Sequence, residues 1–245
     1  MPEARYDGHA TWYDDVVSRY GPGFTHLLAD QAAEFAEPGA VALDVGCGTG
    51  LYFGALRERG LKPVGVDLSA DQLRFAHERD PGVIRGDVAA LPVRDSAVQV
   101  AVGAFIHTDV EDFSSTTMEV ARVLRDGGRF VYIGTHPCFV GRFVHRVNER
   151  DRRELRVQPG YGDAGLSFDA GRASGLSARV GFRSRPLAEL LVAFVGAGLS
   201  IESLVELDTE GRPWAVDPDD GTIVPWNVLV VAAKPPAVRA AGQGG

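Results

Sequence analysis

Hydrophobic and polar positions along this chain follow two periods in alternation. Stretches near 41–46, 62–67, 83–87, 98–105 and 129–135 each carry a short apolar run, with Val, Ile and Phe recurring. That is the pattern of strands buried on both faces. Helical spacing fills 51–59, 70–79, 112–125 and 186–197, and an N-terminal pair at 12–20 and 24–36 is broken at Gly21-Pro22-Gly23. Ser69 is placed to cap the helix that follows it, and Pro186 to sit in the first turn of another. Strands alternating with helices predict an α/β protein with a parallel, doubly wound sheet. Leu199 to Leu207 and Val224 to Ala233 read as two strands joined by a Gly/Pro/Asp-rich connection with no helix, so they are expected to pair antiparallel. The alternation fails at 137–185, where Gly160, Gly162, Gly165, Gly171, Gly175 and Gly181 lie among aromatics and arginines. A long irregular insertion in a compact domain is commonly functional. The expected plan is one domain over 1–234: a helical cap (1–37), a ligand-binding core (40–136), a lid (137–185), and a C-terminal helix with antiparallel strands (186–234). A disordered tail (235–245) follows.

One strand end carries chemistry. Val41-Ala42-Leu43-Asp44-Val45 runs into Gly46-Cys47-Gly48-Thr49-Gly50, and a helix begins near Leu51. Glycines there let the backbone turn sharply and approach a ligand that a Cβ would block. The next helix points its amides and the positive end of its dipole at that ligand. The dinucleotide pattern G-x-G-x-x-G would need glycine where Leu51 stands. Asp44 is suited to hold an ammonium or to fix the loop.

This run resembles motif I of class I S-adenosylmethionine-dependent methyltransferases, of the small-molecule, type-11-like kind. The resemblance continues in order. Val64-Gly65-Val66-Asp67-Leu68-Ser69 looks like the second strand, and Gly86-Asp87-Val88 with Leu91-Pro92-Val93 like the segment after the third. Val98 to Asp112 looks like the fourth strand and its loop, and Met118 to Thr135 like the next helix and the fifth strand. The match spans Tyr6 to about Thr135, with a weaker echo to Lys234. It implies a Rossmann-like, seven-stranded sheet whose last strand pair is antiparallel, with an N-terminal helical cap and an insertion lid after strand 5. The implied cofactor is S-adenosyl-L-methionine, with S-adenosyl-L-homocysteine as product. The implied binding set is Tyr13, Asp44, Gly46, Cys47, Gly48, Asp67, Leu68, Gln72, Gly86, Asp87, Val88, Ala104 and Phe105. Asp67 would accept the ribose hydroxyls, and the segment at Asp87 would receive the adenine amino group. Tyr6-Asp7 and Tyr13-Asp14 resemble a pattern in which an aromatic residue closes over the cofactor; the alternative is that Trp12 and Tyr13 only pack their helix onto the sheet.

Methyl transfer from a sulfonium is an in-line displacement, so alignment and exclusion of water dominate. A general base is needed only where the acceptor must lose a proton. His107 and Asp109 stand two apart in the loop after the fourth strand, where Asp109 can orient the ring or take a proton itself. His136 is a second candidate base; His9 and His145 come third. Many family members carry a histidine pair in this loop, and alignment on Val110 puts Thr108 and Asp109 at those positions. The competing readings are a structural His107 and a helix-capping Asp109 or Asp112. Cys47 reads as a small filler, with no adjacent base to activate it.

Composition narrows the acceptor. The chain has 245 residues, 45% hydrophobic and 24% charged, which suits a soluble globular domain. Two cysteines, Cys47 and Cys138, make neither a disulfide framework nor a cysteine-rich zinc site, and no metal is expected. The N-terminus opens no signal peptide, so a cytoplasmic location is expected. The net charge of −8 disfavours nucleic acid and membrane as partners. Arg142, Arg146, Arg150, Arg152, Arg153 and Arg156 form a cluster, read as a solvated helix face interleaved with Glu149, Asp151 and Glu154 or as a lid meeting an anionic group. The expected activity is methyl transfer to an O, N or C centre of a small metabolite such as a natural product of secondary metabolism, by a monomer or homodimer. The alternatives are an NAD-type oxidoreductase and a catalytically inactive cofactor-binding homologue.

Overall fold

The computed structural model describes residues 4–20, 22–149, 152–168, 175–215 and 224–236. In chain order these form α1 (Ala10–Tyr20), α2 (Pro22–Glu34), β1 (Val41–Val45), α3 (Phe53–Glu58), β2 (Lys62–Asp67), α4 (Ala70–Arg79), β3 (Val83–Arg85) and β4 (Val98–Ala104). Next come α5 (Phe113–Val123), β5 (Leu124–Thr135), β6 (Val144–Glu149), β7 (Arg152–Val157), β8 (Leu166–Ser167), α6 (Leu176–Val180) and β9 (Phe182–Arg183). The last three are α7 (Leu187–Gly196), β10 (Ser200–Leu207) and β11 (Asn227–Ala233).

The main sheet has seven strands in the order β10-β11-β5-β4-β1-β2-β3. From β3 to β5 the neighbours are parallel. β11 lies antiparallel between β5 and β10. The chain runs outward through β1, β2 and β3, then returns to place β4 on the other side of β1. The sheet's switch point is therefore between β1 and β4, where a crevice opens beyond the carboxyl ends of the strands.

Both faces of the sheet's middle are covered, which is why β1, β4 and β11 are largely apolar. On one face Phe113 of α5 and Leu190 and Phe194 of α7 pack on Leu43, Ala101, Phe130, Tyr132 and Val230. Ring centroids of Phe113, Phe130, Tyr132 and Phe194 lie 5.4–5.8 Å apart. On the other face Leu28, Ala29 and Ala32 of α2 and Leu56 of α3 pack on Ala42, Val100, Val102, Val131 and Ile133. Each large side chain buried here stabilises the fold by about 1.5–3 kcal/mol.

Local signals set the helix ends. Ser69 caps α4, its Oγ accepting the Gln72 N–H at 3.1 Å. Asp112 caps α5, its Oδ1 accepting the Ser115 N–H at 2.9 Å. Pro186 stands one place ahead of α7, as its N-cap residue. β5 starts five residues earlier than the pattern predicts, at Leu124, because a bulge between the pairings Val98–Leu124 and Val100–Arg129 keeps the strand going.

Of the arginine cluster after β5, Arg146, Arg152, Arg153 and Arg156 stand on a β-hairpin, correcting the expected helix face: β6 and β7 pair antiparallel from Val144–Val157 to Glu149–Arg152. Charged residues at successive positions hide the strand period there. Arg150, Asp151 and Gly171 lie outside the described residues, as do 237–245 of the expected tail.

Candidate functional site at the switch point

The loop after β1 is tied to β2 by its backbone. Gly46 and Cys47 both donate N–H bonds to the Val66 carbonyl, at 2.8 and 3.1 Å. A Cβ at Gly46 would stand 2.5 Å from Ile106 Cγ2, so only glycine lets this loop lie against the turn after β4. Gly48 has φ +54°, a left-handed conformation, and opens toward Gln72 and Tyr13. Cys47 is a packing residue, with its side chain among Phe53, Leu73 and Ala76 and its thiol pushed up by burial.

Asp67, at the tip of β2, joins this loop to α4. Its Oδ2 accepts the Gly48 N–H at 2.8 Å and its Oδ1 the Ser69 N–H at 2.9 Å. Each oxygen keeps acceptor capacity for one more donor. Gly86 follows β3 and donates to the Asp67 carbonyl, setting the 86–88 segment beside that carboxylate. Asp87 Oδ1 accepts the Ala89 N–H at 2.9 Å, a single-turn cap that fixes the segment, and Val88 is buried.

Two side chains at this loop are buried and short of partners. Asp44 is 1% exposed, and its Oδ2 has no hydrogen-bond partner among the described residues. Burial, and then the neighbouring Asp67 charge, push its carboxyl up to about 8. The Gln72 amide is equally buried and equally unpartnered at both atoms. A ligand can satisfy them: Asp44 Oδ2 and Gln72 Oε1 through a donor or cation, Gln72 Nε2 through an acceptor. Tyr13 of α1 faces the same space: burial raises its hydroxyl, with Asp109, Asp67, Asp14 and Asp44 adding to the effect.

The loop after β4 forms the opposite wall. Ala104 ends β4, and Phe105 takes φ +60°, an unusual conformation for a large residue, with its ring edge-on to Phe24 at 5.7 Å. Asp109 Oδ1 accepts the Tyr6 hydroxyl at 2.9 Å and lies 3.6 Å from Arg5. Burial pushes Asp109 up to about 6, against the opposing pull of Arg5 and Tyr6.

The histidines are placed differently from the sequence expectation. Asp109 turns to Tyr6 and Arg5, so it does not orient His107. His107 is 2% exposed and packs on Tyr132 and Phe113. Its backbone N–H donates to the Tyr132 hydroxyl (3.1 Å), which leaves that O–H to donate to ring Nδ1 (2.5 Å). Nε2 then faces Thr135 Oγ1 at 3.4 Å. Burial, with the Arg185 charge, lowers the ring to about 3. His136 reaches away from the crevice to β10, where Nε2 meets Glu206 Oε1 at 2.9 Å while Nδ1 accepts the Cys138 N–H. Burial lowers it despite Glu206. Asp112 is spent on its helix cap. Arg5, Tyr6 and Arg185 complete the wall. Tyr6 is legible in the sequence only as an aromatic of the closing pattern; its bond to Asp109, and the roles of Arg5 and Arg185, have no local spacing to mark them, because these residues lie about a hundred and nearly eighty residues from the loop they hold.

A doubly wound sheet with a glycine loop at its switch point, a carboxylate at the tip of β2 and a final antiparallel pair defines an adenosyl-cofactor binding domain. Residues 43–132 match the family model described as "Methyltransferase domain". That match makes this segment a methyltransferase domain. Demethylmenaquinone methyltransferase of Mycobacterium marinum is 34% identical over 128 residues, 51% of this chain and 55% of that protein. Malonyl-[acyl-carrier protein] O-methyltransferase of Serratia marcescens is 30% identical over 130 residues, 52% and 47%. The chain thus spans about half the length of these curated relatives. An S-adenosylmethionine-dependent methyltransferase structure from Mesorhizobium loti shares the fold, with a TM-score of 0.64 and 24% identity, covering 84% of this chain and 99% of that one.

The residues present fit that cofactor. The unpartnered Asp44 carboxylate and Gln72 amide offer contacts for its charged and polar amino-acid end, and Asp67 retains acceptor capacity for paired hydroxyls.

Proposed function

We propose that this chain is a methyltransferase that uses S-adenosylmethionine to methylate an oxygen, nitrogen or carbon centre of a small molecule. The observation carrying this reading is the buried Asp44 carboxylate at the switch-point loop, without a partner on Oδ2 and pushed up to about 8. A cationic group placed there restores the carboxylate. When bound, the cofactor supplies a methyl on a sulfonium, whose departure leaves a neutral thioether. Asp44, Gly48, Asp67, Gln72 and the 86–88 segment bind and orient the cofactor, and Leu68, Ala104, Phe105 and Tyr13 shield it from water. Asp109 is the base: near 6, it is mostly ionised at neutral pH and able to take a proton from an acceptor bound beside it. His107, neutral and enclosed, and His136, committed to Glu206, are structural in this reading.

The segment 1–37 serves as cap and 137–185 as lid, with the acceptor between them. A net charge of −8 supports a small-molecule acceptor rather than a nucleic acid. No helix among the described residues is long and apolar enough to cross a membrane. A cytoplasmic site of action and a role in secondary metabolism, as monomer or homodimer, belong to the same proposal. The test is calorimetric titration with S-adenosylhomocysteine, with NADH as comparison. We expect binding of the thioether at micromolar concentration and its loss in Asp67→Ala, by about 2–4 kcal/mol if both carboxylate oxygens are used. Binding of NADH alone would overturn the reading in favour of an oxidoreductase.

A further inference from the structure

Four of the five carbonyls between His107 and Glu111 end on arginines. Arg5 donates to the Asp109 carbonyl and to Val180, clipping the N-terminal segment to the loop and to α6. Arg185 takes the other three: Nε donates to His107 O at 2.8 Å, and Nη2 to Val110 O and Glu111 O, both at 2.7 Å. Its guanidinium is 8% exposed, and Glu189, one turn into α7, supplies the counter-charge through Nη1. A buried cation is costly unless fully paired. Here, Glu189 apart, the pairing is with carbonyls of one loop only, and a planar fork is what can serve them together. Arg185 closes the 137–185 insertion, so the fork also joins that insertion to the loop.

We propose that Arg185 is a positioning residue for methyl transfer: by holding the backbone of 107–111 it sets where the Asp109 carboxylate stands. This rests on the proposed methyltransferase reading. With Asp109 Oδ1 engaged by Tyr6 and Arg5, Oδ2 has no partner among the described residues, and 28% of the side chain is exposed. That oxygen is the one available to an acceptor. The groups facing it are Arg5 and Tyr6 of the N-terminal segment, Tyr13 of α1, Asp67 of β2 and Tyr132 of β5, with Arg185 behind the loop. A loop released from the fork turns Asp109 out to water and away from Tyr6.

The experiment compares Arg185→Met and Arg185→Lys with wild type in the full chain, with Asp109 followed by 13C-carboxyl NMR titration and assigned by Asp109→Asn. We expect the Asp109 midpoint to fall from about 6 toward the ordinary aspartate value near 4 in both variants. S-adenosylhomocysteine affinity should be unchanged, since Arg185 touches no residue of the cofactor loop. With an acceptor in hand, kcat should fall on the order of 100-fold while the cofactor KM holds. Lysine keeps the charge without the fork, and decides the matter if the methionine variant does not fold. An unchanged Asp109 midpoint with lowered thermal stability overturns the proposal, leaving Arg185 a structural residue only. Failure of wild type to bind S-adenosylhomocysteine would instead sink the methyltransferase reading, while the Asp109 titration would still judge the fork.

Discussion

In the proposed site, Asp44 would tie cofactor binding to protons. Its carboxyl is raised to about 8 in the free protein, so it is largely protonated at neutral pH. A cation at Oδ2 favours the ionised form, so binding releases a proton between about pH 4 and 8, and affinity weakens as the pH falls below about 8. Titrations at pH 7 in two buffers of different ionisation heat should show that release; Asp44→Asn should abolish it and weaken binding. The same raised value bears on folding. The carboxylate's burden on the fold is absent below the unfolded value near 4 and complete above about 8, so Asp44→Asn should raise the melting temperature of the free protein at pH 8 more than at pH 5. Loss of melting temperature at pH 8 in that variant would contradict this account. His107 behaves oppositely. Lowered to about 3, it stays neutral in the fold, and stability is lost as the pH falls from about 6.5 toward 3. Tyr132→Phe strips a partner from ring Nδ1 and from the His107 backbone N–H, and should cost about 1–3 kcal/mol in urea unfolding at pH 7. From the sequence, His107 and Asp109 two apart look like a working pair. That Tyr132 caps the ring, and that Tyr6 and Arg5 claim the carboxylate, are pairings across 25 and about a hundred residues that no local pattern encodes.

Among the elements, those with a strong period were legible. Apolar runs marked all five parallel strands, and Ser69 and Asp112 marked two helix starts by the same chemistry, an oxygen accepting an orphan N–H. Asp112→Ala should cost about 0.5–2 kcal/mol in thermal unfolding and leave S-adenosylhomocysteine affinity unaltered, since its carboxylate serves the first turn of α5. The β6–β7 hairpin was not legible, because arginines and glutamates occupy positions on both of its faces and erase the two-residue period. The early start of β5 was hidden for a related reason: Gly127-Gly128 reads as a turn between elements, yet the strand continues through it as a bulge.

For the whole molecule, the order of motifs carried most of the information. Asp44 and Asp67 stand at the carboxyl ends of β1 and β2 and Asp87 just past β3, and a parallel sheet necessarily brings the carboxyl ends of those strands to one edge. The proposed cofactor half of the crevice could therefore be read from the chain. The proposed acceptor half is assembled from Arg5, Tyr6, Asp109 and Arg185, which meet only through the fold. Because the cofactor contacts span several elements that unfolding scatters, its binding should stabilise the whole domain: about 2.7 kcal/mol at a hundredfold excess over Kd, read as a rise in melting temperature with added S-adenosylhomocysteine.

β11 occupies an interior place in the sheet, between β5 and β10, with all seven of its residues buried. It is also the last of the described strands to leave the ribosome. Until it emerges, β5 presents an open edge and β10 has no neighbour, and unpaired strand edges invite other chains. During synthesis the nascent chain is therefore exposed to mispairing until β11 emerges, and a stop codon ahead of Asn227 would remove the strand that joins β10 to the parallel part of the sheet.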